Sequence, residues 1–323
     1  MSVGAIALPN PRCTYPERNA VALSFTINMT LNLASRGKKI RGLPKSVDFD
    51  LNGRIEVLKQ QISENTKLPL HRLRLSTVDG TVLADGKTLR DYGVGGGTTV
   101  WVKDLGPQVG WRTVFIYEYL GPLFIHPLFV YYRKSIYGSS YSLSTVQLVA
   151  FVMVMLHFLK REYESIFVHR FSADTMPLRN IFKNSFHYHV LSGFLLAYFV
   201  YGPWHATDVI SVKKLLSLTG LWLFAEISNA KVHIILRDLR PAGSRKHVIP
   251  YGYGFNWVSF PNYFFESLCW FAFALLTNSY AAWLFLFVSS TQMWLWAKKK
   301  HARYLKEFPN YPRSRKIYIP FIL

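Results

Sequence analysis

The sequence predicts a small α+β domain followed by an all-α bundle that spans a membrane about six times, and three observations predict it. Of 323 residues, 50% are hydrophobic and 17% charged, and the apolar ones gather in the C-terminal two thirds, as in a polytopic membrane protein. The first hundred residues instead alternate short β-type runs with one amphipathic segment. Lys and Arg outnumber Asp and Glu by 38 to 18, giving a formal charge of +20, and they concentrate between alternate apolar segments. That balance suits nucleic acid, anionic lipid or a polyphosphate ligand, and the membrane context selects the last two. Cys13 and Cys269 are too few and too far apart for a disulfide framework or a zinc site, so no metal is expected.

Met1 to Asn19 holds Pro9, Pro11, Arg12, Pro16 and Arg18 and no long apolar core, so residues 1–20 are expected to form a flexible cytosolic extension and not a cleaved signal. From Val21 to Leu33 apolar and polar residues alternate around Phe25, Ile27, Met29, Leu31 and Leu33, as in a half-buried strand. A helix is expected next. Between Arg54 and Asn65, Ile55, Leu58 and Ile62 recur at spacings of three and four, which aligns one apolar stripe. Strands follow at Leu73 to Ser76 and Thr98 to Lys103, separated by the Asp79-Gly80 turn and by Gly95 to Gly97. This order, with VDGTVLADGKTLRDYGVGGGTTVWV at its end, resembles a ubiquitin-like β-grasp over residues 21–104.

Residues 105–323 carry six apolar segments: Thr113 to Tyr132, Ser144 to Leu159, Tyr188 to Gly202, Leu215 to Leu236, Phe260 to Thr277 and Tyr280 to Ala297. Several fall near or below the ~20 residues that cross a bilayer. With the N-terminus in the cytosol, three regions on that side are rich in Lys and Arg: Lys160 to Lys183, Arg237 to Lys246, and the tail from Lys298. The opposite loops carry only Arg133 with Lys134 and Lys213 with Lys214. The asymmetry predicts both termini in the cytosol.

Polar groups inside those segments need partners or a task, because a charge in hydrocarbon is expensive. Glu118, within the first segment, needs one or the other unless it lies close enough to the interface to reach water. At the end of the second, His157, Lys160 or Arg161, and Glu164 fall on one helical face, the pattern of a salt-bridged helix end or of a site. In the fourth, Glu226, Asn229, His233, Arg237 and Arg240 are spaced by three, four, four and three. Such a stripe faces protein or a wet cavity; interhelical bonding would use it, and an anionic ligand suits its five groups better. The fifth opens with Pro261, Asn262, Tyr263 and Glu266. All four clusters sit at cytosolic helix ends, so one shared pocket is expected. No Gly-rich dinucleotide fingerprint, P-loop, His-Glu-x-x-His or Gly-x-Ser-x-Gly is present, so a nucleotide here would need a site of another kind.

DLGPQVGWRTVFIYEYLGP, LKREYESIFVHRFSADTMPLRNIFKNSFHY, FPNYFFES and KKHARYLKEFPNYPRSRKIYIPFIL together resemble the trans-2-enoyl-CoA reductases of fatty acid elongation, members of the steroid 5α-reductase superfamily. The likeness covers most of the chain. It implies NADPH as hydride donor, an endoplasmic reticulum membrane, reduction of the 2,3 double bond of a very-long-chain enoyl-CoA, and other elongation-cycle enzymes as partners, with no nucleic acid. By motif match Glu118 is the membrane-embedded catalytic glutamate and Tyr263 the essential tyrosine and proton donor, with Lys160 beside them. Gln108, His157, Arg161 and Glu164 match supporting positions. Asn229, His233, Arg237, Arg240, Asn262, Glu266 and Tyr304 are the expected grip on the cofactor. The chain departs from steroid reductases in having Phe158 where they place a catalytic Tyr and His233 where they place an Asp, which shifts the proton donor to Tyr263. The alternatives are a steroid or polyprenol reductase, a membrane methyltransferase using S-adenosylmethionine, and an anchor whose ubiquitin-like domain recruits partners.

Overall fold

The computed structural model describes residues 28–171, 174–239 and 248–322 and divides the chain into two compact units, Met1–Leu105 and Gly106–Leu323. The first unit is a four-stranded sheet in the order β2-β1-β4-β3, made of β1 (Asn28–Ser35), β2 (Ser46–Asp50), β3 (Leu73–Ser76) and β4 (Thr99–Asp104), with helix α1 (Ile55–Thr66). β1 runs antiparallel to β2 and parallel to β4, and β3 closes antiparallel on β4. Alternation turns Leu31, Leu33, Leu75, Val100 and Val102 to one face, where Ile55, Leu58 and Ile62 of α1 bury them. This is the ubiquitin-like arrangement that the pattern predicts. The expected helix is present as α1, and one element was not anticipated: β2, which lies between β1 and α1. Its sequence, SVDFD, turns only Phe49 fully inward, so a short edge strand of this kind leaves a weak apolar signal. Val21 to Ile27 of the expected first strand lie outside the described residues.

The second unit is helical. α2 (Trp111–Tyr131) leads through α3 (Arg133–Tyr137) to α4 (Thr145–Tyr163), which opens on a capping box between Ser144 and Gln147. Gln147 also donates to the carbonyls of Val200 and Gly202, at 3.0 and 2.9 Å. A wide π-type turn, Glu164–Val168, follows α4. The next helix runs unbroken from α5 (Asn180–Ser185) through a π-helical stretch, Phe186–Leu195, to α6 (Leu196–Val200). α7 (Val212–Asp238) and α8 (Pro261–Thr277) pack most extensively on each other, and α9 (Tyr280–Glu307) completes the set. α8 begins with Pro at a first-turn position, where no N–H is needed, and ends at Asn278 in the left-handed region, φ 48°. A two-stranded ribbon, β5 (Gln108–Gly110) with β6 (Thr175–Pro177), ties the start of α2 to the loop before α5. Three residues per strand are too few to show an alternation in sequence.

Among the described residues one helix, Trp111–Tyr131, is long and apolar enough to cross a membrane by length and composition. The other five expected spans do not stand out in that way, and the reason is visible in the helices. α8 has 17 residues, and α7 carries Glu226, Lys231 and Arg237 along its length.

Candidate active site

The last turns of α4 carry His157, Lys160 and Arg161, and the π-type turn that follows presents Glu164 on the same side. Widened turns of this kind frequently mark functional sites. Opposite them stand Glu226, Asn229 and His233 of α7, and Glu266 and Cys269 of α8. Glu226 is the hub. Its Oε1 lies 2.6 Å from His157 Nδ1 and accepts from the Cys269 thiol at 2.7 Å, while its Oε2 lies 2.7 Å from Lys160 Nζ. Lys160 also donates to Asn229 Oδ1 at 2.6 Å, and Asn229 in turn donates to the backbone carbonyl of Asn262 at 2.8 Å. The second His157 nitrogen faces Glu266 Oε1 at 3.3 Å, and Trp270 Nε1 donates to the same oxygen at 3.3 Å. An imidazole with a carboxylate at each nitrogen satisfies both only when both nitrogens carry protons.

Arg161 extends the network toward α2. It donates to Glu164 Oε2 at 2.7 Å and to the Tyr119 hydroxyl at 2.8 Å, and His233 Nδ1 approaches the same Glu164 oxygen at 2.9 Å. Tyr119, 1% exposed, lies under the guanidinium, with Phe158 and Tyr188 against its ring. The structure therefore joins His157, Lys160, Arg161, Glu164, Asn229, His233 and Glu266 into one buried, charge-paired assembly. Taking charges out of water without partners costs several kcal/mol each, so the assembly stands or falls together.

The remaining expected residues lie elsewhere. Glu118 is buried on α2 with Asn184 against its carboxylate, and its Oε1 has no hydrogen-bond partner. Tyr263 faces the α9 side of α8, where Lys300 Nζ donates to its hydroxyl at 2.8 Å. Tyr304 stacks on Phe260 and Tyr311 in the same region, at 5.9 and 5.4 Å between ring centroids. Helix α8 thus presents Glu266 and Cys269 to α4 and α7, and Tyr263 and Ser267 to α9 and the tail. Arg237 pairs with its neighbour Asp238 at the exposed end of α7. Gln108 accepts from Thr175 at 3.3 Å across the short ribbon. The Asn262 side chain lies half-buried beside the network, and Arg240 lies outside the described residues. Sequence reasoning counted Glu226 in the polar stripe without giving it a role, and passed over Tyr119, Cys269 and Trp270. Only Glu226 carried a signal, its spacing from Asn229.

Two triplets bring donor atoms within 4.8 Å of one another: His157, Glu226 and Cys269, and Glu164, His169 and His233. In each, a cationic side chain already pairs with the carboxylate, Lys160 with Glu226 and Arg161 with Glu164. That places positive charge where an ion would sit.

A family model described as 3-oxo-5-alpha-steroid 4-dehydrogenase matches residues 174–323, and one described as the ubiquitin family matches residues 39–102. A Schizosaccharomyces pombe protein named as a candidate enoyl reductase is 68% identical over 91% of this chain and 100% of its own length. The very-long-chain enoyl-CoA reductase of Dictyostelium discoideum is 45% identical over 82% of this chain and 91% of its own. The human trans-2,3-enoyl-CoA reductase-like protein is 30% identical over 76% of this chain and 69% of its own.

Proposed function

The chain belongs to the very-long-chain enoyl-CoA reductase family, and from that premise we propose that it reduces the 2,3 double bond of very-long-chain trans-2-enoyl-CoA with NADPH, the closing step of an elongation cycle, as a multi-pass protein of the endoplasmic reticulum membrane with both termini cytosolic. The observation that carries this reading is the buried assembly around Glu226, which joins α2, α4, α7 and α8. Side chains this polar are out of place in an anchor, and they suit a reaction in which charge develops on a buried oxygen.

The residues present fit a nicotinamide cofactor. A carboxamide needs both a donor and an acceptor, which Asn229 and Glu266 supply from adjacent helices, and Glu164 Oε1 is a buried oxygen without a hydrogen-bond partner. Lys298, Lys299, Lys300 and Arg303 near the end of α9, with Arg313 and Lys316 in the tail, supply cations for phosphates. NADPH would supply the hydride to C3 of the substrate. The chain's own residues do the rest. Lys160 and Arg161 neutralise Glu226 and Glu164, so that the assembly on the α4 and α7 side of α8 can hold the nicotinamide. Glu226 and Glu164 fix those two cations in position. Tyr263 gives the proton to C2, the Lys300 ammonium at 2.8 Å stabilising the phenolate left behind. Glu118, its Oε1 lacking a protein partner, serves as the second acid-base group, donating in its protonated form to the thioester oxygen.

The test is NADPH oxidation by the purified chain. Turnover is expected only with a long-chain trans-2-enoyl-CoA and not with a 4-ene-3-ketone, a polyprenal or S-adenosylmethionine. Tyr263→Phe and Glu118→Gln should each lower kcat at least ~100-fold, the lower limit for losing an acid-base group. Tyr119→Phe removes only one anchor of Arg161 and should cost less than ~10-fold. A reversed order of the two tyrosines would move the proton donor to Tyr119, and full activity in both Glu118→Gln and Tyr263→Phe would remove the assignment.

A further inference from the structure

We propose that the open face of the ubiquitin-like sheet docks on the anionic headgroups of the membrane that the helical unit crosses. The inference rests on the membrane-spanning reading above. Helix α1 and the core cover one face of the sheet. The other face turns outward Arg36, just past β1, Arg74 of β3, and Trp101 and Lys103 of β4, since their sequence neighbours Leu73, Leu75, Val100 and Val102 point into the core. Arg74 and Lys103 are register partners, as are Ser76 and Trp101, and Ala34 lies across from Trp101 on the other side. Arg36 Nη1 donates to Ser76 Oγ at 3.1 Å, which lays a third cation over the same end of the face.

Two like charges directly opposite in an antiparallel pair repel and weaken the sheet. Among the described residues neither Arg74 nor Lys103 enters an ion pair. The nearby carboxylate, Asp104, is engaged in a bidentate pair with Arg72, at 2.9 and 2.6 Å. The other outward acids of the strands, Asp48 and Asp50, sit on the far edge strand, where the Thr30 hydroxyl donates to Asp48 at 2.7 Å and the Asn52 amide to Asp50 at 3.0 Å. A repulsive pair beside a half-exposed indole calls for an anionic partner that also receives an aromatic ring. The headgroup layer does both: it attracts Lys and Arg, roughly fivefold in affinity per residue, and indoles settle in it. Nucleic acid would also take cations and stack a tryptophan. The tether decides for lipid. Only residues 105–110 separate β4 from α2, at most roughly 20 Å of extended chain, which on the membrane-spanning reading keeps lipid headgroups within the sheet's reach at all times.

The test uses the full chain in nanodiscs of phosphatidylcholine alone or with phosphatidylserine, treated with a neutral amine-acetylating reagent and read by mass spectrometry. Lys103 should react at least about fivefold more slowly in the anionic discs, one basic residue's worth of attraction. Lys67, at the end of α1 on the covered side, should react equally in both, and R36E/R74E should abolish the Lys103 difference. Equal Lys103 rates in the two lipids, or a difference that survives R36E/R74E, would overturn the proposal. Slowing by an added RNA oligonucleotide over neutral discs, with none from phosphatidylserine, would assign the face to nucleic acid instead. A chain that does not stay in the disc at all would defeat the membrane-spanning reading, a result distinct from either.

Discussion

Glu226 of α7 ties its helix to α4 and α8 through two oxygens, and truncating it exposes what each bond was holding. In Glu226→Ala, Lys160, His157 and the Cys269 thiol lose a shared acceptor in a site where water is scarce, and breaking a buried pair from one side costs about 3–5 kcal/mol. Thermal unfolding in detergent should show a correspondingly lower midpoint, and Glu226→Gln, which keeps the shape, should fall between the two. In the ubiquitin-like domain, Thr77 and Thr81 donate to the Asp79 carboxylate, and these bonds hold it below the usual carboxylate range. A depressed value in the folded state adds stability above the ordinary Asp pKa and loses it as pH falls through the depressed value. Asp79→Asn should therefore lower the domain's stability at neutral pH, leave it little changed once pH is below the depressed value, and so flatten the acid side of the profile, as read by denaturant unfolding followed by the sheet's circular dichroism at several pH values. At this scale the sequence was partly legible. The spacing of His157, Lys160 and Glu164 brought out one face of a helix because intrahelical geometry is fixed by the backbone. The place of Tyr263 was not readable, since its partner Lys300 depends on how α9 lies along α8. Tyr119 was not readable either, because an aromatic in an apolar run looks the same toward lipid as toward Arg161.

Helix α2 shows how an element can make room for one residue. Pro122 lacks an N–H and crowds the turn before it, and Gly121 beside it has no side chain. His189 enters through that gap and binds the Tyr117 carbonyl through Nε2 at 3.0 Å, next to Glu118. A Cβ on Gly121 would stand 2.0 Å from the His189 ring. Gly121→Ala should therefore destabilise by about 1–3 kcal/mol, and His189→Ala in the same chain should recover part of the loss, a non-additivity measurable by a double-mutant cycle in detergent unfolding. The glycine and proline could be read from the sequence, but the partner that needed them could not. The same division holds for the strands. β3 and β4 announced themselves by alternation, whereas β2, β5 and β6 are too short or too polar for a period to appear. The apolar runs located the long helices well and their ends poorly: α9 continues to Glu307, well past Ala297, because Lys and Arg extend a helix as readily as Leu does.

Across the whole molecule, two units of different chemistry share one chain, and the division was plain from composition alone, since hydrophobic content changes abruptly near residue 105. What composition hid was how little of the bundle is simply oily, because the helices that build the candidate site carry its charges in their own interiors. That feature bears on how the protein is made. His157 and its acceptor Glu226 are 69 residues apart, as are Lys160 and Asn229. α4 is therefore synthesised well before the partners of its histidine and lysine exist. On the membrane-spanning reading proposed above, those two groups stay unpaired near the cytosolic end of α4 until α7 follows, and a charge without a partner costs roughly 2.5–3.5 kcal/mol at mid-membrane and less toward the interface. Chains cut short before α7 should then be held in a bilayer less firmly than the full chain.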